Sequence, residues 1–273
     1  MLKKVLYTCV IKSVLILEKI KLRLAPKIVN PTPLIQQSGE FFVREHNGKL
    51  LFSPSFNCLN ALYDPIFKHE IYGFRTDSKT PLIIDCGSNI GLGIIYWKSI
   101  YPNASVIAFE PSKKVFEALE KNIKEHDLQN VTAINAALSN FEGTQEFTYN
   151  EDVSGSLFLE KDLGNTYNVK TVLLEKYLEE KVDFLKVDIE GEEINIFPQI
   201  VKNLNNIENL FIEYHSFVNH KQQLSMFFHE LEKNGFRYYL EGEYKSKGPL
   251  LYDHTHLNQD LQVSIWAKKM SKD

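Results

Sequence analysis

Cysteine is scarce in this chain of 273 residues. The three that occur, Cys9, Cys58 and Cys86, are far apart and odd in number. They form neither a disulfide framework nor a metal-ligand spacing, so a reducing cytoplasm is the default setting. A basic excess is missing too. The formal net charge is −4, which argues against a general nucleic-acid binder. Repeats and low-complexity tracts are absent. So is the dinucleotide fingerprint G-x-G-x-x-G. Even the apolar first 24 residues hold no run that spans a bilayer: their longest uncharged stretches are 5–11 and 13–17.

What is present fits a soluble globular protein, with 44% hydrophobic and 24% charged residues. The length allows one large domain, or one domain with an accessory segment. Charge is unevenly spread. Residues 1–27 carry seven Lys/Arg against one acid, Glu18, a net of +6, and the remainder nets −10. A signal peptide wants an unbroken apolar core, and Lys12 breaks it. Two main readings of residues 1–35 stay open. One is a basic amphipathic helix packed on the domain or on a partner subunit, as in a homodimer. The other is peripheral contact of residues 1–27 with an anionic membrane, and a non-cleaved or degenerate targeting segment is a lesser third.

Residues 36–80 read as an accessory hairpin and helical segment. Apolar runs at 41–44 and 49–52 flank Asn47-Gly48, a hairpin signal. Residues 59–74 are aromatic-rich and partly helical. From residue 81 to 273, strands and helices alternate. Apolar runs at 82–86, 105–109, 131–136, 182–188 and 207–213 read as buried strands. Helical patterns cover 113–126 and 222–234, the second with Gly235 at its stop. Runs at 236–240 and 262–267 read as a closing antiparallel pair. The fold class is therefore α/β, a mainly parallel, doubly wound sheet with an antiparallel closing strand. Ligands in such sheets bind beyond the carboxyl ends of the strands, near the switch point.

The first strand ends in D-C-G-S-N-I-G. Asp85 is placed to accept from a ligand ammonium, directly or through water. Gly87 permits close backbone approach, and Gly91 a tight start to the next helix. Asn89 stands where a dinucleotide site would have its second glycine. This speaks against an NAD-dependent oxidoreductase. Glu110 follows the second strand, nineteen residues beyond Gly91, the spacing at which an acid takes ribose hydroxyls. Small residues after the third strand, around Ala136, suit the edge of an adenine ring. The fourth strand carries D-F-L-K-V-D-I-E-G. Asp188 and Glu190 share a direction if the chain stays extended. Lys186 needs a buried partner, for which Asp188 is one candidate. The fifth strand ends F-I-E-Y-H, with Glu213 and His215 on one face. Neighbouring strands lie about 4.8 Å apart, so these four groups converge at one sheet edge. Three accounts of the cluster compete: His215 as general base, a carboxylate with a raised pKa as base, or Asp188, Glu213 and His215 around a divalent metal. A structural network is the bland alternative.

These motifs in this order resemble the FkbM family of S-adenosylmethionine-dependent methyltransferases. I-I-D-C-G-S-N-I-G, A-F-E-P, N-A-A-L-S, D-F-L-K-V-D-I-E-G-E-E and E-Y-H carry the likeness, from about residue 62 to 236. The resemblance implies a Rossmann-like class I methyltransferase with its cofactor domain at 81–273. It implies O-methyl transfer to a sugar, glycan or other small-molecule hydroxyl, as in polysaccharide biosynthesis. Asp85, Gly87, Asn89, Gly91, Glu110 and Ala136 become the S-adenosylmethionine site. Asp188, Glu190, Glu213 and His215 become the reaction centre, with Mg²⁺ or Mn²⁺ as the candidate metal. A cofactor-binding module that lost activity is a rival, which an intact acid and histidine cluster opposes. The aromatics of 56–74 read mostly as core, and segment 241–261, with His254 and His256, as a lid or acceptor loop.

Overall fold

A computed structural model describes residues 35–149, 155–156, 165–245, 250 and 258–270. The expected N-terminal helix and the loop histidines His254 and His256 lie outside the described residues. All described residues belong to one compact unit, Ile35–Asp273, so residues 36–80 share a unit with residues 81–273.

The chain opens with a small antiparallel sheet of β1 (Gln36–Ser38), β2 (Phe41–His46) and β3 (Lys49–Ser53). Asn47 and Gly48 both take positive φ, 52° and 80°, the geometry that a two-residue hairpin loop favours. Helix α1 (Phe56–Phe67) follows, with Ser55 Oγ accepting from Cys58 N–H at 3.4 Å. Then come β4 (Leu82–Cys86), α2 (Leu92–Ile100), β5 (Ser105–Phe109), α3 (Lys113–Glu125) and β6 (Val131–Ile134). The short strands β7 (Ala137–Leu138), β8 (Gly143–Tyr149), β9 (Gly155–Ser156) and β10 (Asn165–Val172) precede β11 (Val182–Val187) and α4 (Glu193–Asn203). The chain closes with β12 (Ile207–Phe217), α5 (Leu224–Lys233), β13 (Phe236–Lys245) and β14 (Gln259–Lys269).

The main sheet has the order β13-β14-β12-β11-β4-β5-β6. Strands β6, β5, β4, β11 and β12 run parallel, and β14 runs antiparallel to both β12 and β13. This is the expected Rossmann-like sheet. Chain order reverses between β4 and β11, so the switch-point crevice opens beyond Cys86 and Val187. Strand β11 is buried along its whole length, and its side chains alternate between two cores. Phe184 packs with Tyr72, Trp97 and Phe211. Leu185 and Val187 pack with Phe197, Ile212 and Phe227 on the other face.

Two features depart from the sequence reading. The run 131–136 is not one strand. It leaves the main sheet after Ile134, and β7 joins a second sheet of order β7-β10-β8-β9. That sheet closes over Ala137 with Phe147 and Val169. Strand β12 also runs to Phe217, because β14 pairs with it that far.

Buried Asn122 of α3 ties the accessory hairpin to the domain. Its Oδ1 accepts from Phe52 N–H at 2.7 Å, and its Nδ2 donates to Phe52 O at 2.9 Å and Ile90 O at 2.7 Å. No helix among the described residues is long and apolar enough to cross a membrane. Asn122→Leu keeps roughly the volume but strands three buried backbone groups. It is expected to lower the unfolding free energy by roughly 1–3 kcal/mol in urea denaturation. An unchanged midpoint would show that Phe52 and Ile90 find other partners.

Candidate active site

The turn after β4 is built from left-handed residues: Gly87 at φ 81°, Asn89 at 49° and Gly91 at 84°. A Cβ on Gly87 would collide with the carbonyl oxygen of Asp188, so only glycine lets the β4 turn lie against the end of β11. Gly91 starts α2 and leaves room for Leu119, whose Cδ1 would be 2.6 Å from a Cβ there. Gly87 N–H and Ser88 N–H both donate to Phe109 O, at 3.0 and 2.8 Å. The turn is thus moored to the second strand as well.

Glu110 sits just past that strand and is buried. Its Oε2 accepts from Asn89 N–H at 3.0 Å and its Oε1 from Ser112 N–H at 2.8 Å. Burial pushes its pKa up to about 7, against the pull of those two N–H groups. Gly87, Asn89, Glu110, Ala136, Asp188 and Glu190 line one cleft of about 650 Å³, mouth included. Phe109, Leu138, Phe147 and Ile189 supply its apolar walls. Asp85 and Gly91 are not among its lining residues.

Asp85, 1% exposed, faces inward to Lys186. The lysine Nζ lies 3.4 Å from Asp85 Oδ1 and 3.3 Å from Asp188 Oδ2, and donates to Gly87 O at 2.7 Å. Burial alone would lower the pKa of this ammonium. The charge of Asp188, with Tyr72 and Asp85, outweighs it and holds the lysine well above its ordinary value. The partner expected for Lys186 is therefore present, together with a second that parity alone did not reveal.

Beyond the end of β11, the four expected groups converge. His215 Nε2 lies 3.6 Å from Glu190 Oε2 and 3.7 Å from Glu213 Oε1. Donor atoms of Asp188, Glu213 and His215 lie within 4.8 Å of one another. Glu213 and His215 share a face because β12 stays extended through both. Glu190 arrives differently from the sequence reading. Strand β11 ends at Val187, and Glu190 takes φ 56° before Gly191 at 113°. A turn, not an extended strand, delivers its carboxylate.

The cluster carries more acid than base. Burial, reinforced by Asp188, pushes Glu213 up to about 8, and Glu213 also accepts from Gln262. Burial would lower the pKa of His215. Glu193, Glu190 and Glu213 outweigh it and hold the ring well above its usual range.

Two residues of the E-G-E-E segment were given no role from sequence. Glu192 is buried, lines the cleft, and accepts from Asn195 Nδ2 at 3.2 Å, with its pKa pushed up to about 7 by burial. Glu193 accepts from His215 Nδ1 at 3.1 Å. The signal for both was two acids at a helix start just past a ligand-bearing strand end.

The family model of the methyltransferase FkbM domain matches residues 85–238. The chain is 29% identical over 175 residues to methyltransferase sdnD of Sordaria araneosa, covering 51% of this chain and 68% of that protein. It is 25% identical over 178 residues to methyltransferase 1 of Beauveria bassiana (strain ARSEF 2860), covering 56% and 72%. Among solved structures, methyltransferase FkbM of Methylobacillus flagellatus KT aligns with 14% identity and a TM-score of 0.45, over 71% of this chain and 45% of that one.

The raised pKa values set a pH dependence. An acid whose folded pKa exceeds its unfolded value binds protons more tightly when folded, so its contribution to stability falls as pH rises between the two values. Glu110 and Glu192, near 7, and Glu213, near 8, act in this direction. His215, raised above its ordinary value, contributes stability below that value and loses it at higher pH, the same sign. The unliganded protein is expected to lose stability from about pH 5 to about pH 8 in thermal melts. Glu110→Gln should flatten that slope, and parallel slopes would show that Glu110 titrates normally.

Proposed function

The chain belongs to the FkbM family of methyltransferases, and from that membership we propose that it is an S-adenosylmethionine-dependent O-methyltransferase. Its acceptor on this reading is a hydroxyl of a sugar, a glycan or another small molecule. The observation that carries the proposal is the sharing of residues between two parts of the site. Asp188 and Glu190 line the same cleft as Gly87, Asn89, Glu110 and Ala136, and they also stand at the acid cluster around His215. A donor seated in the cleft is therefore one residue away from a proton acceptor.

S-adenosylmethionine, when bound, supplies a methyl group activated by a positively charged sulfur. The residues present fit such a molecule. Glu110 offers carboxylate oxygens to ribose hydroxyls. Ala136 leaves space for a flat ring, and the surplus of carboxylates favours a cationic ligand over a pyrophosphate. The chain's own work is alignment and proton removal. His215 Nε2 would take the acceptor's hydroxyl proton as the methyl carbon bonds to that oxygen and its bond to sulfur breaks, the electron pair leaving with S-adenosylhomocysteine. The acids that raise the pKa of His215 would be offset by a cation beside Asp188 and Glu190. The imidazole pKa then drops towards the range useful for a base.

Asp188, Glu213 and His215 also fit a divalent cation, since one imidazole and two carboxylates suit Mg²⁺ or Mn²⁺. Such an ion, when bound, lowers the pKa of an acceptor hydroxyl.

Calorimetric titration is expected to give a binding heat with S-adenosylmethionine and none with NAD. Absence of heat with the first would sink the proposal. His215→Ala should keep donor affinity and lose roughly 10²–10⁴-fold in turnover, measured as S-adenosylhomocysteine released with a panel of sugar acceptors. Unchanged turnover would remove His215 from the reaction. Activity lost to a chelator and restored by Mg²⁺ or Mn²⁺ would assign the proton step to the ion.

A further inference from the structure

Glu193 is the first residue of α4 and is fully buried. A buried carboxylate has to be met by donors. Here three converge on it. Oε1 accepts from Ile189 N–H at 2.9 Å and from His215 Nδ1 at 3.1 Å, and Oε2 accepts from Gly191 N–H at 2.9 Å. The two backbone donors flank Glu190, the left-handed residue of the turn. The third donor belongs to another strand, 22 residues further along the chain.

A carboxylate that only closed a turn would have no need of the histidine. A carboxylate that only paired with the histidine would not reach back to two backbone groups. We infer that Glu193 is a positioning residue for methyl transfer, one carboxylate that holds both the turn presenting Asp188 and Glu190 and the ring of His215. By engaging Nδ1–H it leaves Nε2 as the ring atom directed at Glu190 and Glu213. The acid side and the base side of the reaction centre are thereby fixed to one point. The inference deepens the reading of His215 as proton acceptor and rests on it.

Glutamine is the discriminating substitution. Its amide has one acceptor oxygen and a donor nitrogen, so it cannot accept on both sides. With its oxygen in the place of Oε1 it keeps Ile189 N–H and His215 Nδ1 and leaves Gly191 N–H facing an amide nitrogen; the reverse flip loses the first two. In the unmodified full-length protein, labelled with ¹⁵N at histidine and freed of metal, His215 is expected to show an Nδ1-bound proton protected from solvent exchange. In Glu193→Gln that protection should weaken, because a neutral amide oxygen holds the Nδ1 proton less strongly than a carboxylate. Turnover at saturating donor should fall roughly tenfold or more, with the dissociation constant for S-adenosylmethionine within about threefold of the unmodified protein.

An unprotected Nδ1 proton in the unmodified protein would overturn the inference without any variant, even if Glu193→Gln fails to fold. Unchanged turnover in a folded Glu193→Gln would overturn it too. So would loss of donor affinity in proportion to turnover, which marks a merely structural role. The ring measurement needs no methyl transfer. A failure of the proposed activity, seen as no donor binding or no turnover in the unmodified protein, is therefore separate from a failure of Glu193.

Discussion

Everything at the sheet edge depends on one buried ammonium. Lys186 lies in the fully buried strand β11, where an unpaired charge would be prohibitive. Its contacts reach both sides of the switch point: Gly87 O and Asp85 from the β4 side, Asp188 from its own strand end. Buried ion pairs are poor sources of net stability, because desolvation cancels most of the attraction. What this one contributes is position. The turn that carries Asn89 can lie in only one place if its carbonyl is to meet the ammonium, and that place brings Gly87 against the Asp188 carbonyl. The absence of a side chain at residue 87 and the presence of a long cationic one at 186 are two halves of one constraint.

The local charge that remains is negative. Lys186 answers Asp85 and Asp188, and His215 is shared by Glu190, Glu193 and Glu213, while Glu110 and Glu192 line the cleft. Burial raises the pKa of Glu110, Glu192 and Glu213, which is how a protein without enough internal cations limits the cost. A site in this state gains from any positive ligand and resists a phosphate. The chemical class of the donor is thus written into the electrostatics as well as into the glycine turn.

Much of this was legible before any coordinates. The Asn47-Gly48 hairpin, the five parallel strands and the antiparallel pair follow from turn chemistry and from apolar runs of strand length. The convergence of Asp188, Glu213 and His215 follows from parity and neighbouring strands. Other parts were not legible. Asp85 meets Lys186 because the two stand opposite each other in the register of β4 and β11, a pairing that depends on which strands become neighbours. The sheet around β8 and β10 escaped notice because T-Q-E-F-T-Y alternates too briefly to stand apart from a loop. Glu193 could be seen as an acid at a helix start. That it meets His215 depends on how α4 returns against β12, a tertiary fact.

Glu190 shows how a correct placement can come from a mistaken path. Strand parity predicted its direction, yet the strand has ended before it, and a left-handed turn brings it to His215. A glutamate at φ 56° is strained, by about 1–3 kcal/mol for such a residue. Glycine there would remove the strain and also the carboxylate. Strain of this kind persists only where the surroundings over-determine the backbone, and Glu193 does so by gripping the N–H groups on both sides. His215 needs no such help with its backbone, since β12 stays paired with β14 there, His215 opposite Gln262, beyond the point where its pairing with β11 ends at Ile212. The histidine is thus carried on rigid sheet and the opposing acid on a held turn. The chain keeps a costly residue where an easier one would fit, and the turn that holds it sets the Glu190 carboxylate 3.6 Å from His215 Nε2.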